Sequence, residues 1–120
     1  MKARRRLIRL AAPARRDLAA IARWTVKEFG EDAWVRYETL IAQALEDLAA
    51  EPERPGSREV PEVGVRVYHL ASSRERVVGP RVRQPRHVLV YRVREEGVVE
   101  IARVIHDARD LARHLPVGMT

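Results

Sequence analysis

The sequence predicts an α+β fold in which an N-terminal helical hairpin packs on a small antiparallel sheet and a short C-terminal helix follows. Three observations carry this. Across residues 14–48 the apolar positions recur with a period of about 3.6, the spacing that gives a helix one buried face. From residue 63 onward, short apolar runs are bounded by turn residues, the pattern of strands. At 120 residues the chain can build one modest core and not two, so residues 1–120 read as a single domain.

The elements follow in order. Residues 5–11 (RRLIRLA) read as a short edge strand. Pro13 suits a first helical turn, and Asp17 lies near the positive end of that helix. From Ala14 to Phe29 the expected buried positions are Leu18, Ile21, Ala22, Thr25 and Phe29, and Gly30 is the stop. Glu31 and Asp32 open a second helix with Trp34, Tyr37, Ile41, Leu45 and Leu48 on its buried stripe and Leu40 and Ala44 beside it. Pro52 closes that helix. So short a connection makes the two helices antiparallel neighbours.

Pro52 to Pro61 is a loop by composition, and Val63 to Leu70 a strand with Val65 and Val67 on one face and Tyr68 on the other. Residues 71–86 are arginine-rich, with turn signals at Gly79-Pro80 and Pro85, and read as a solvated loop or a hairpin extension. Next, a Glu95-Glu96-Gly97 turn pairs Arg94 with Val98 and sets Arg92 opposite Glu100. In that register Leu89, Tyr91, Val93, Val99, Ile101 and Ile105 share the helix-covered face, with Arg103 a misfit among them. Asp107 then caps a helix with Asp110 near its start, Leu111 and Leu115 at i,i+4, and Pro116 at its end.

Composition narrows the chemistry. Hydrophobic residues make up 46% and charged residues 33%, ordinary for a soluble domain. Without cysteine there are no disulfides and no thiolate metal sites. The basic N-terminus has its apolar run broken by Arg9 and Arg15, so it does not read as a signal peptide, and no stretch approaches membrane-spanning length. The expected compartment is the cytoplasm. The net charge of +6 rests almost wholly on arginine and reads either as a trace of GC-rich coding or as the mark of an acidic partner, nucleic acid or a carboxylate-rich protein segment.

No motif demands a cofactor or a metal. The histidines His69, His87, His106 and His114 have no metal-site spacing, and neither a phosphate-binding glycine loop nor a nucleophile elbow occurs. His106 with Arg103, Arg109 and Tyr91 contains the ingredients of a metal-free ribonuclease, a proton carrier with cations for the phosphate. Local sequence favours the plainer reading, in which His106 ends a strand and Asp107 caps a helix. Trp34 reads as core. Trp24 falls off the apolar stripe and reads either as an exposed interface anchor or as a residue covered by the 71–86 segment or an N-terminal strand. The 71–86 segment has no interleaved aromatics, so a base-stacking platform is not expected there.

Taken together, the segments LAAPARRDL, EFGEDAWVRYETLIAQALEDLAAEP, GVRVYHL, RHVLVYRV and GVVEIARVIHDARDLARHLP resemble the ParE branch of the ParE/RelE toxin superfamily, in order, over residues 7–116. The resemblance implies the RelE/ParE-like fold and a type II toxin neutralised by an acidic, ParD-like antitoxin in a hetero-oligomer. ParE likeness implies inhibition of DNA gyrase by binding, with DNA touched only indirectly. RelE likeness implies a ribosome-dependent mRNA endoribonuclease with His106, Arg103 and Arg109 at its centre. Val88 stands where the ribonuclease branch commonly has arginine, and no tyrosine follows Ile105, so this chain looks ParE-like. The expected target-binding residues are Tyr91, Arg103, His106, Arg109 and Arg113, and the expected antitoxin contacts are Arg15, Arg16, Arg23 and Trp24.

Overall fold

The protein is described from a computed structural model, and the described residues are 5–107. The expected C-terminal helix, with Asp110, Leu111 and Leu115, lies outside them. Five strands form one sheet: β1 (Ile8–Leu10), β2 (Ser57–Val60), β3 (Val65–His69), β4 (His87–Val93) and β5 (Val99–His106). Two helices, α1 (Ala12–Phe29) and α2 (Glu31–Ala50), precede β2. The strand order is β1-β5-β4-β3-β2. The sheet is mixed, because β1 pairs parallel to β5 while all other pairs are antiparallel.

The helical hairpin turns on one residue. Gly30 ends α1 and begins α2 at φ +92°, a left-handed conformation that a side chain disfavours. Its N–H donates to Val26 O, and its carbonyl accepts from the N–H of Trp34. Tyr37, Leu40, Ile41, Ala44 and Leu48 of α2 enter the main core with Tyr68, Leu89, Tyr91, Val99, Ile101 and Val104 of the sheet. Leu18 and Ile21 of α1, with Trp34 and Leu45, pack around it partly buried. Phe29, expected on the buried stripe, is 66% exposed, because the stripe runs past the sheet at the end of α1.

The hairpin turn forms as expected, with Arg94 N–H donating to Val98 O, Gly97 left-handed, and Arg92 opposite Glu100. Further along the pair the register slips. Tyr91 faces Ile101 but Val90 faces Arg103, so Ala102 has no partner and forms a β-bulge. Val104 therefore joins the helix-side core, whereas Ile105 packs with Val65, Val67, Val88 and Val90 on the opposite face. This overturns the placement of Ile105 on the helix side. Val93, also expected there, is 42% exposed near the hairpin tip.

Arg103 ceases to be a misfit. Its guanidinium grips Asp17 of α1 through two bonds of 2.7 and 3.0 Å, and the N–H of Val104 donates to the same carboxylate at 2.9 Å. Asp17 thus serves to tie α1 to β5 rather than to complement the helix dipole.

Two stretches expected as loops carry structure. Ser57–Val60, within the proline-rich 52–61 loop, is an edge strand on β3. It is fastened by a relay in which Arg66 Nε donates to Ser57 Oγ, and Tyr91 Oη bonds both Ser57 Oγ and Pro52 O. The 71–86 segment begins as a 3-10 helix, Leu70–Arg76, and is neither a hairpin nor free of the core. Asp47, 2% exposed, accepts from Ser73 Oγ, Gln43 Nε2 and Arg76 Nε and so clamps that segment to α2.

Asp17→Ala is expected to lower unfolding free energy by about 2 kcal/mol, since it leaves Arg103 and the Val104 N–H without their acceptor. Arg9→Ala, at the more exposed pair with Glu100, is expected to change it by less than about 0.5 kcal/mol. Urea denaturation of the two variants beside the parent measures both.

Candidate functional site

Among the described residues a groove of about 610 Å³ lies between the hairpin end and the 81–87 stretch. Trp24 and Phe29 stand on its wall in an edge-to-face pair, centroids 5.5 Å apart, and both are more than half exposed. Arg36, Arg81, Arg83 and Arg86 surround it, while Tyr37, His87 and His106 close its inner end. The 81–87 wall is held in place, with Arg74 Nε donating to Val82 O at 2.6 Å and the Val82 side chain resting on the core.

Tyr37 organises the inner end. Its hydroxyl accepts from Arg86 N–H at 3.1 Å and shares a 2.6 Å hydrogen bond with His87 Nδ1. Burial pushes the phenol up to about 12 against the opposing pull of the Arg86 N–H, so at neutral pH it remains protonated. His87 stands edge-on to His106 with ring centroids 5.6 Å apart, because the two residues face each other across β4 and β5. His106 Nδ1 lies 3.3 Å from Asp107 Oδ1. The Asp107 carboxylate also meets Arg86 Nε at 3.4 Å and His69 Nε2 at 3.7 Å. Desolvation raises its pKa, but the nearby Arg86, His106 and His69 outweigh that and hold it below the usual carboxylate value.

The sequence-predicted residues divide sharply. His106 sits in the groove. Arg103 points to Asp17 instead, and that hydrogen-bonded pair raises its pKa further. Tyr91 is fully buried with its hydroxyl engaged, so it belongs to the core rather than to a surface that meets a target. Arg15, Arg16, Arg23 and Trp24 are all exposed on α1. Arg109 and Arg113 lie outside the described residues. Sequence reasoning missed Tyr37, His87 and Arg86 as site residues. It also missed that Trp24 and Phe29 supply from α1 the aromatics lacking in 71–86. No group of three or more metal-ligating side chains occurs among the described residues, and no helix there is long and apolar enough to cross a membrane.

This arrangement, a helical hairpin laid on a five-stranded mixed sheet, is the α+β fold of the ParE/RelE toxins. Among solved structures, the chain is similar to the chromosomal ParDE toxin–antitoxin system from P. aeruginosa. That match has a TM-score of 0.62 and 21% identity, covering 87% of this chain and 98% of that one. It is also similar to the toxin–antitoxin complex RelBE2 from Mycobacterium tuberculosis, with a TM-score of 0.53 and 24% identity, covering 85% and 98%. At such identities the likeness is one of fold. No curated protein matches the sequence. The sequence pattern of the ParE toxin of type II toxin–antitoxin system, parDE, matches residues 8–111, and the chain belongs to that family.

Because the folded state holds the Tyr37 proton more tightly than the unfolded chain, stability is unaffected by this group below about pH 10. It is expected to fall as pH rises from there towards about 12. Tyr37→Phe should reduce that alkaline loss, as measured by unfolding midpoints across the range, with Tyr91 contributing in the same direction.

Proposed function

We propose that this toxin acts by binding, as an inhibitor of DNA gyrase that stalls replication and carries out no bond cleavage itself. The observation that carries the reading is the Asp17–Arg103 pair. A phosphoryl-transfer centre at His106 needs cations free to meet the phosphate, and the arginine nearest along its strand is committed to the protein's own helix. Family membership supports the same branch. His106 and the exposed arginines then form a basic edge toward gyrase and gyrase-bound DNA, joined by Arg109 and Arg113. The setting is cytoplasmic.

Neutralisation comes from an acidic, ParD-like antitoxin. Arg15, Arg16, Arg23 and Trp24, all exposed along α1, suit an amphipathic segment with carboxylates on one side and an apolar anchor seat at the tryptophan. An interface of roughly 1,600 Å² or more fits a persistent complex. Reversing Arg15 and Arg16 together to glutamate is expected to slow association about tenfold at low salt, read by surface-based kinetics.

A second reading is favoured by one specific feature. His106 and His87 lie side by side with Arg86 close to Asp107, which is a pair of proton carriers beside a cation. That is the ribosome-dependent endoribonuclease, with His87 and Arg86 in place of the expected Arg103. Purified protein is therefore tested in a gyrase supercoiling and cleavage assay beside a translating-ribosome RNA assay. Supercoiling is expected to be inhibited by the parent and still, though more weakly, by His106→Ala, which removes one contact of the basic edge and no chemistry. Ribosome-dependent RNA cuts that vanish in His106→Ala would overturn the binding reading.

A further inference from the structure

The outward side of the helical hairpin carries two rows of charge of opposite sign. On α1, Arg16, Arg23 and Lys27 recur at intervals of seven and four residues and so fall on one exposed face, with the small Ala19 and Ala20 between them. On α2 the exposed side carries Glu31, Asp32, Glu38 and Glu46, with Val35 and Ala42 between them. Glu46 holds Arg5 at 3.0 Å. Among the described residues, the side chains of the other three carboxylates and of the three cations have neither an ion pair nor a hydrogen bond. Arg36, the exposed base of α2, turns instead to the groove beside Trp24. The two helices run antiparallel from Gly30, so residues equally far from it along the chain lie level. Arg23 is seven residues before Gly30 and Glu38 eight after it. Lys27 is three before and Asp32 two after, and Arg16 is fourteen before and Glu46 sixteen after. The two rows therefore match level by level.

We infer that two copies of this chain pair through their hairpins in an isologous dimer, with α1 of one copy lying antiparallel on α2 of the other. A twofold axis along the helices keeps each level and exchanges the rows, so every cation meets a carboxylate and symmetry makes each contact twice. Setting α1 on α1 would instead oppose Arg16, Arg23 and Lys27 to their own copies. The alanines let the axes approach to about 8–10 Å, and Val35, 56% exposed, gains cover at the level between Arg23 and Lys27. A carboxylate-rich peptide satisfies the α1 row alone, whereas a second copy satisfies both rows. The 18 residues of α1 span about 27 Å. Two helices side by side then bury roughly 1,000 Å² over both copies, the lower limit of a specific interface. The dimer is accordingly weak and reversible. Because it uses Arg16 and Arg23, it and the proposed antitoxin complex exclude one another, and the larger interface displaces the smaller. The inference rests on the hairpin alone and not on which target the toxin meets.

The full-length protein, free of antitoxin, is followed by sedimentation equilibrium over about 1 to 200 μM, the range in which so small an interface titrates. Its mass is expected to rise from 13.8 kDa towards twice that value with concentration, and to rise less at high salt. Arg23→Glu and Glu38→Arg, each at an exposed position without a partner, are expected to keep the parent's circular dichroism. Each should weaken self-association about tenfold or more, because it sets like charges together twice. The double variant, Arg23→Glu with Glu38→Arg, exchanges the signs and is expected to restore the dimer. The chain holds no cysteine, so on mild oxidation Ala19→Cys should link to Ala42→Cys of a second copy faster than to itself. A monomer throughout the range, a dimer untouched by Arg23→Glu, a double variant no better than the singles, or Ala19→Cys linking faster to itself would each overturn the inference.

Discussion

One carboxylate ties the first helix to the last strand. Asp17 accepts hydrogen bonds from Nε and Nη2 of the Arg103 guanidinium and from the N–H of Val104. Without the bulge at Ala102, continuous alternation would have kept Arg103 among the helix-side apolar residues as an unaccommodated charge and sent Val104 away from the core. One extra residue resolves both problems. It turns Val104 inward, brings Ile105 to the second apolar face, and leaves Arg103 where α1 can meet it. It also sets the last residues of β5, so that His106 stands opposite His87. The site geometry at that end of the sheet therefore follows from the bulge, and the ion pair beside it takes no part in the site.

A buried carboxylate does similar service for the other wall. Asp47 is almost wholly enclosed, and although desolvation raises its pKa, the bonds from Ser73, Gln43 and Arg76 and the nearby Arg54 hold it below the ordinary value. Its stabilising effect is present at neutral pH and is lost as acid protonates it. The 3-10 helix it anchors starts the segment that ends in the Arg81–Arg86 wall. An arginine-rich stretch thereby becomes a fixed surface, with its charges turned toward Trp24 and Phe29.

Much of the fold was legible because it follows from periodicity. The helical hairpin, the Glu95-Glu96-Gly97 turn and the two-faced burial of Val65, Val67 and Tyr68 all depend on local patterns that tertiary structure left intact. What escaped was non-local. The β2 strand is short and polar, and it owes its existence to pairing with β3 and to the Tyr91 hydroxyl, neither of which its proline-rich sequence announces. The parallel pairing of β1 is likewise a matter of chain path. In the site, counting outward from the turn places His87 opposite Ile105, one residue short of His106, because a bulge leaves no mark in a run of apolar residues. Tyr37 was read correctly as buried, yet its hydroxyl is visible as a site group only once Arg86 and His87 are seen beside it.

In the proposed binding reading, the exposed cations rather than the internal one are the working surface of this ParE-family toxin. Arg15, Arg16, Arg23, Arg36 and Arg83 face solvent, while the arginine that sequence pattern brought forward is a strut. Such a molecule should inhibit by occupancy, and turnover is the most direct discriminator. Substoichiometric to excess toxin is titrated against a fixed amount of gyrase, with the loss of supercoiling followed to completion. Inhibition that scales with toxin bound and stops when toxin is exhausted is the expected result. A trace of toxin that goes on inactivating a large excess of target or consuming RNA would contradict it.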